Sequence, residues 1–209
     1  MGEIGTGRVV TSADTDVVDL VFGLRGRAIA LDYADRLWRE LSGRLPWLAE
    51  DASIAVHPLA GVSRGNTEMY LTRRARLSLR LRRELCEAAN ALVGATLDLG
   101  GEVEVVGAPS IKVLQTSTVL YSPFVVIGIT DEVQFLTACG EQIAGMGISG
   151  ELIAGRPRSG EGERQGYSLM IHGLKPEHSL QVQRTGLGNE RRRGCGIFVP
   201  HKSLAAVDE

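Results

Sequence analysis

Hydrophobic and polar positions along the chain alternate first with a period of two and then with a period of three to four. Residues 17–24 place Val18, Leu20, Phe22 and Leu24 on one side and Asp19 and Gly23, followed by Arg25, on the other, as a half-buried strand does. Asp32 sits where it can cap a helix whose Ala34, Leu37, Trp38, Leu41 and Leu45 recur at helical spacing, with Pro46 near its end. Residues 53–58 predict a second strand, and the turn at 61–66 leads into a third over 69–81. There Leu71, Leu77, Leu79 and Leu81 point one way and Thr72, Arg74, Arg76, Ser78, Arg80 and Arg82 the other, which gives an apolar face and a cationic face. Helical spacing returns over 84–93 through Leu85, Ala88, Ala89, Leu92 and Val93, and Gly100-Gly101 turns into a strand over 102–106.

This order, β-α-β-β-α-β, is the ferredoxin-like unit, and it recurs. A strand over 120–129 is followed by a helix that Thr130 caps, with Asp131 and Glu132 in its first turn and Leu136, Cys139, Ile143 and Met146 on its buried side. Strands over 151–155 and 166–172 flank a polar loop, Pro176 opens a helix over 176–185, and residues 196–199 close as the last strand. The expected fold class is α+β, with two tandem ferredoxin-like (βαββαβ) domains packed side by side. The expected boundaries are a tail over 1–16, a first domain over 17–108, a connector over 109–117 and a second domain over 118–204. The halves share element order and little residue identity, so the repeat rests on that order.

Composition narrows the function. Hydrophobic residues are 44% and charged residues 23% of 209 positions, ordinary for a chain that buries a core. No apolar run reaches membrane-spanning length, and residues 1–16 carry no signal-peptide core, so a cytoplasmic protein is expected. Cys86, Cys139 and Cys195 are too scattered for a disulfide framework or a zinc site. Glu102 and Glu104 alternate as surface residues on a strand, and Asp131 and Glu132 answer the helix dipole. No metal or cofactor is therefore expected. The formal charge of −2 argues against a polyanion partner unless the arginines are segregated, because binding responds to the local field.

The densest cationic stretch is the glycine loop, residues 186–196, Gly-Leu-Gly-Asn-Glu-Arg-Arg-Arg-Gly-Cys-Gly. It runs from a helix into a strand, the reverse of nucleotide-binding glycine loops. It reads either as a polyanion cradle, with Gly188, Gly194 and Gly196 allowing close approach and Arg191, Arg192 and Arg193 supplying forked donors, or as a solvated turn with Gly186 ending the helix. Among the four histidines, His172 lies in an apolar run, and His178 falls in the first turn of a helix and is expected to be exposed. His57 ends a strand before Pro58 and faces the turn of Ser63, Arg64 and Gly65, where an imidazole can exchange a proton near neutral pH. Tyr33, in the first turn of the first helix, is expected near that strand end.

The glycine loop, with Gly166-Tyr167-Ser168-Leu169-Met170-Ile171-His172-Gly173-Leu174 before it and Phe198-Val199-Pro200-His201-Lys202 after it, resembles the C-terminal signature of the CRISPR-associated repeat-processing endoribonucleases, the sixth Cas family, in its Myxan-type branch. The resemblance runs over 17–203. It implies cleavage of CRISPR precursor RNA by its own 2′-hydroxyl, leaving a 2′,3′-cyclic phosphate and a 5′-hydroxyl without a metal, with the product retained in a type I surveillance complex of other Cas proteins. Relatives place a catalytic histidine near the first helix, where this chain carries Tyr33. His57 is the expected acid or base, Tyr33 its helper and Arg64 the group that stabilises developing charge. The expected RNA contacts are Arg191, Arg192, Arg193, Gly188, Gly194, Gly196 and Lys202 of the loop region, Arg156 and Arg158 of the hairpin loop, and Arg74, Arg76 and Arg80 of the third strand, lining one groove. A repeat-binding subunit that does not cut, and an unrelated ferredoxin-like regulatory domain, are the alternative readings.

Overall fold

The structure, a computed structural model, describes residues 16–65, 67–160 and 164–201. Alternation over β1 (Val17–Arg25) buries Val18, Leu20 and Phe22. This strand lies at the centre of a five-stranded antiparallel sheet of order β3-β6-β1-β8-β7, with β3 Ala55–Val56, β6 Arg76–Arg82, β7 Thr96–Asp98 and β8 Glu102–Val113. One face is apolar and carries α1 (Tyr33–Arg44), which buries Leu37 and Leu41 against it, and α2 (Cys86–Ala89). A small sheet of order β2-β5-β4 (Ala28–Ala30, Glu68–Leu71, Gly61–Arg64) is inserted beside it.

The second half repeats the scheme. β9 (Leu120–Val126), α3 (Glu132–Gly145), β10 (Glu151–Ser159), β11 (Gln165–His172), α4 (Pro176–Thr185) and β12 (Val199–Pro200) form a sheet of order β10-β11-β9-β12. In each half the second, third, first and fourth strands of the unit lie side by side in that order, so the architecture is two tandem ferredoxin-like folds. Each half has its own hydrophobic cluster, one around Phe22, Leu41 and Leu79, the other around Phe135, Leu169 and Phe198.

Several local expectations change. The third strand breaks between Leu71 and Arg76, because its two parts belong to different sheets and the turn between them preserves the period of two. The helix expected over 84–93 is four α-helical residues flanked by 3-10 turns at Arg83–Leu85 and Asn90–Leu92, and the buried positions fall every three residues at Cys86, Ala89 and Leu92, with Ala88 and Val93 exposed. β8 continues to Val113 by bulging: Val21 and Gly23 pair with Ser110 and Val106, and Pro109 falls in the bulge, where it removes no ladder hydrogen bond. β10 and β11 extend into the polar loop. Asp32 makes no side-chain cap, and Asp131 rather than Thr130 caps α3, accepting from the Gln134 amide at 2.9 Å.

Candidate active site

α1 begins beside the end of β3, and the glycine loop closes over both. Tyr33, Ala34 and Leu37 of α1, Val56, His57 and Pro58, and Arg192, Arg193 and Gly194 of the loop line one small hollow. A Cβ added at Gly194 would lie 3.4 Å from Pro58, so loop and strand end are in contact. The Tyr33 hydroxyl accepts from the Leu59 amide at 2.8 Å, and burial pushes its phenol up to about 12. The hydroxyl therefore keeps a proton to give at neutral pH.

His57 is held from below. Its backbone amide donates to the Ser78 carbonyl at 2.9 Å, and Nε2 lies 3.1 Å from Asp19 Oδ1. Arg80, opposite Asp19 in the β1–β6 register, donates to the same carboxylate through Nε at 2.7 Å and Nη2 at 2.9 Å. Burial alone would raise the Asp19 carboxyl, but hydrogen bonds from His57 and Arg80, with the Arg80 charge, outweigh it and hold it well below the usual carboxylate range.

Arg80 overturns one expectation. It is 1% exposed, and its Nη1 donates to the backbone carbonyls of Gln183 (2.9 Å) and Phe198 (2.8 Å) in the second half. The polar face of β6 is an internal seam at this point, so Arg80 is not available to RNA. The loop arginines also turn inward. Arg191 donates to the Ser53 carbonyl at 3.0 Å, and burial brings its guanidinium down to about 10. Arg192 donates to the carbonyls of Ala49 (2.9 Å) and Asp51 (3.1 Å) and lies over the Trp38 ring at 4.9 Å. Arg193 pairs with Asp35 of α1 and with Glu190, and Arg164, at the loop end of the β10–β11 hairpin, shares Asp35 at 2.9 Å. Partial burial would raise Asp35, but hydrogen bonds from Arg193 and Arg164 outweigh it and hold the carboxyl below its usual range.

The loop amides are likewise engaged within the protein. Gly188 donates to Gln142 Oε1 at 3.0 Å, Gly196 to the Phe124 carbonyl at 2.7 Å and Gly194 to the Arg191 carbonyl at 3.3 Å. At Gly196, φ is +65° and a Cβ would run into the Leu187 carbonyl, so glycine is required for the loop to pack on itself. The glycines shape a clasp and do not offer free amides to a phosphate.

Arg64 does not line the hollow. It is exposed on β4, donating to the Tyr70 hydroxyl at 3.2 Å. Arg74, Arg76, Arg156 and Arg158 are exposed. Arg158, with Ser159 and Gly160, faces Leu31, Asp32, Ser63 and Thr67 across a cleft of about 720 Å³, while Arg76 folds onto the Ala75 carbonyl at 2.7 Å. Lys202 lies outside the described residues. His178 is half-buried rather than exposed, and Nε2 of His172 and Nδ1 of His178 are buried without a hydrogen-bond partner among the described residues. Sequence reasoning missed Asp19, Asp35 and Trp38, which organise the site. The alternation placed Asp19 on the polar side of its strand but could not name its partners. Among the described residues no group of three His, Cys, Asp or Glu is placed to hold a metal ion, and no helix is long and apolar enough to cross a membrane.

Comparison with known proteins agrees with this architecture. The family model described as Cas6, Cas6 Crispr, matches residues 18–203. A protein of Myxococcus xanthus (strain DK1622), the CRISPR-associated endonuclease Cas6, is 36% identical over 195 residues, covering 91% of this chain and 84% of that protein. A solved CRISPR associated protein Cas6 superimposes with a TM-score of 0.60 at 13% identity, covering 90% of this chain and 100% of its own. The product of a Cas6-related gene from Pyrococcus furiosus gives 0.53 at 12%, covering 88% and 97%. With tandem ferredoxin-like halves, a glycine loop clasped over the first helix and a family match over nearly its whole length, the chain belongs to the Cas6 family.

Proposed function

We propose that the chain is an endoribonuclease that cuts CRISPR precursor RNA within its repeats to release guide RNAs. Membership of the family and the 36% identity to a CRISPR-associated endonuclease support the substrate class. The observation that carries the reaction is that Tyr33, His57 and the arginine loop meet at one hollow. The 2′-hydroxyl next to the scissile phosphate attacks in line, giving a 2′,3′-cyclic phosphate and a 5′-hydroxyl, chemistry that asks for positioning, proton transfer and charge stabilisation and needs no metal. His57 exchanges the proton of the attacking or leaving oxygen, and Tyr33 donates to a phosphate oxygen. Arg192, bonded to neutral carbonyls and in no ion pair among the described residues, carries its charge beside the hollow and takes the stabilising role expected of Arg64. The exposed Arg156, Arg158, Arg74 and Arg76 contact RNA backbone, and the product stays bound for hand-over to a surveillance complex with other Cas proteins.

The test is single-turnover cleavage of a labelled repeat hairpin in EDTA. Wild type cuts, and His57→Ala slows the cut by about 10²–10⁴-fold, the usual contribution of an acid or base, while binding is retained. A His57→Ala protein that cuts at the wild-type rate, or a wild type that binds the hairpin and leaves it whole, refutes the reading.

A further inference from the structure

His57 is joined to the rest of the molecule by a chain of contacts that a surface histidine does not need. Asp19 Oδ1 receives both His57 Nε2 (3.1 Å) and Arg80 Nε (2.7 Å), and Oδ2 receives Arg80 Nη2 (2.9 Å). Arg80 is fixed in turn by the carbonyls of Gln183 and Phe198. The Asp19 side chain is only 17% exposed and that of His57 15%, so neither is free to swing.

We propose that Asp19 is a positioning residue for His57: by accepting the Nε2 proton it fixes one tautomer and ring orientation, leaving Nδ1 as the nitrogen that exchanges protons with the RNA. An ionised carboxylate only accepts, so the nitrogen facing it must be the one that carries hydrogen. Nδ1 makes no hydrogen bond to any described residue, on a side chain that lines the hollow. When Nδ1 takes the 2′-hydroxyl proton the ring becomes a cation, and the carboxylate beneath is already in place to stabilise it, as in hydrolases that orient histidine with aspartate. The other charged groups around the ring, Arg80 beneath it and Arg192 and Arg193 beside the hollow, are cations, so Asp19 is the one anion in contact with it among the described residues. The role rests on the reading of His57 as the acid or base of the cut.

Two measurements decide it. Nitrogen-15 spectra of histidine-labelled protein, with the His57 signal assigned by its loss in His57→Gln, report the tautomer of the neutral ring. An Nε2–H tautomer is expected in the wild type, and an Nδ1–H tautomer overturns the proposal whatever the activity. Asp19→Asn is expected to lower single-turnover cleavage about 100-fold, with the Kd for repeat RNA within about threefold of wild type and the tautomer preference weakened. Asp19→Asn that cuts at the wild-type rate, beside an inactive His57→Ala, removes Asp19 and leaves the endoribonuclease reading standing. If His57→Ala itself cuts normally, the endoribonuclease reading of this site falls, and the catalytic role of Asp19 with it. Should Asp19→Asn fail to fold, Asp19→Ser takes its place in both measurements, because a free imidazole already favours Nε2–H and only a weakened preference with slowed cleavage on losing the carboxylate upholds the proposal, while Nδ1–H in the wild type overturns it.

Discussion

Arg80→Met removes a fully buried cation and keeps most of its volume. In the native protein the guanidinium donates to both oxygens of Asp19 and to the carbonyls of Gln183 and Phe198, and the side chain is 1% exposed. Deleting it leaves a half-buried carboxylate with His57 as its remaining side-chain partner and two carbonyls without their donor. Removing one member of a buried ion pair costs about 3–5 kcal/mol, and orphaned carbonyls act in the same direction. For a chain of this size each kcal/mol moves Tm by about 2–4 °C, so the melting point should fall by about 6–20 °C. The assays are thermal melting, for the shift in Tm, and urea unfolding, for the free energy, each followed by circular dichroism and by the fluorescence of Trp38 and Trp47. Arg82→Met is the control two positions along the same strand. Arg82 is 45% exposed and paired to Asp51 and Glu84 at the surface, where such pairs contribute about 0–1 kcal/mol. Adding Asp19→Asn to Arg80→Met should cost at least about 1 kcal/mol less than the sum of the two single changes, because the second removes an anion already stranded by the first. If Arg80→Met lies within about 1 kcal/mol of wild type, Arg80 is not the fastening described here.

Other outcomes follow from the same contacts. The Asp19 carboxyl is held below its unfolded value, so the stability it contributes is complete above about pH 4 and is lost as pH falls toward its folded value; the urea midpoint of Asp19→Asn should therefore decline less steeply than that of wild type as the pH is lowered from about 5 to about 2. Arg192→Ala removes the guanidinium over Trp38 and two bonds to carbonyls; cleavage should fall by at least about tenfold with a shift in Trp38 emission, and unchanged cleavage would return the charge-stabilising role to another residue. Arg156→Ala with Arg158→Ala should lower the slope of log K against log salt by about 1.4–1.8 if each meets one phosphate, whereas Arg80→Met should leave that slope untouched.

The amphipathic elements were legible because one face of each meets a core. Alternation identified β1, helical spacing identified α1, and Pro176 and Gly186 bracketed α4 at its observed limits. The inserted sheet was not, since a turn at Thr72–Ala75 that preserves parity looks like continuous strand. Tyr33 and His57 could be expected near each other from element order, and both line the hollow. What an arginine bonds to was not legible at all. A polar strand face has the same pattern whether water, RNA or another part of the chain covers it, and at Arg80 and Arg191–Arg193 the chain itself does. Asp19 and Asp35 were invisible for the same reason, because each draws its partners from segments far away in sequence.

The acceptors of the clasp have a consequence for sequence drift. Arg80, Arg191 and Arg192 grip main-chain oxygens of Gln183, Phe198, Ser53, Ala49 and Asp51, and a peptide oxygen is the same whatever side chain it carries. At these three arginines the fastening depends on the course of the gripped backbone and not on the acceptor's own side chain, whereas Asp35 must keep its carboxylate for Arg193 and Arg164, and Gln183 and Phe198 are constrained separately by their burial. Exchanging Ala49 or Ser53 for another small residue should pass unnoticed, and replacing an arginine should not.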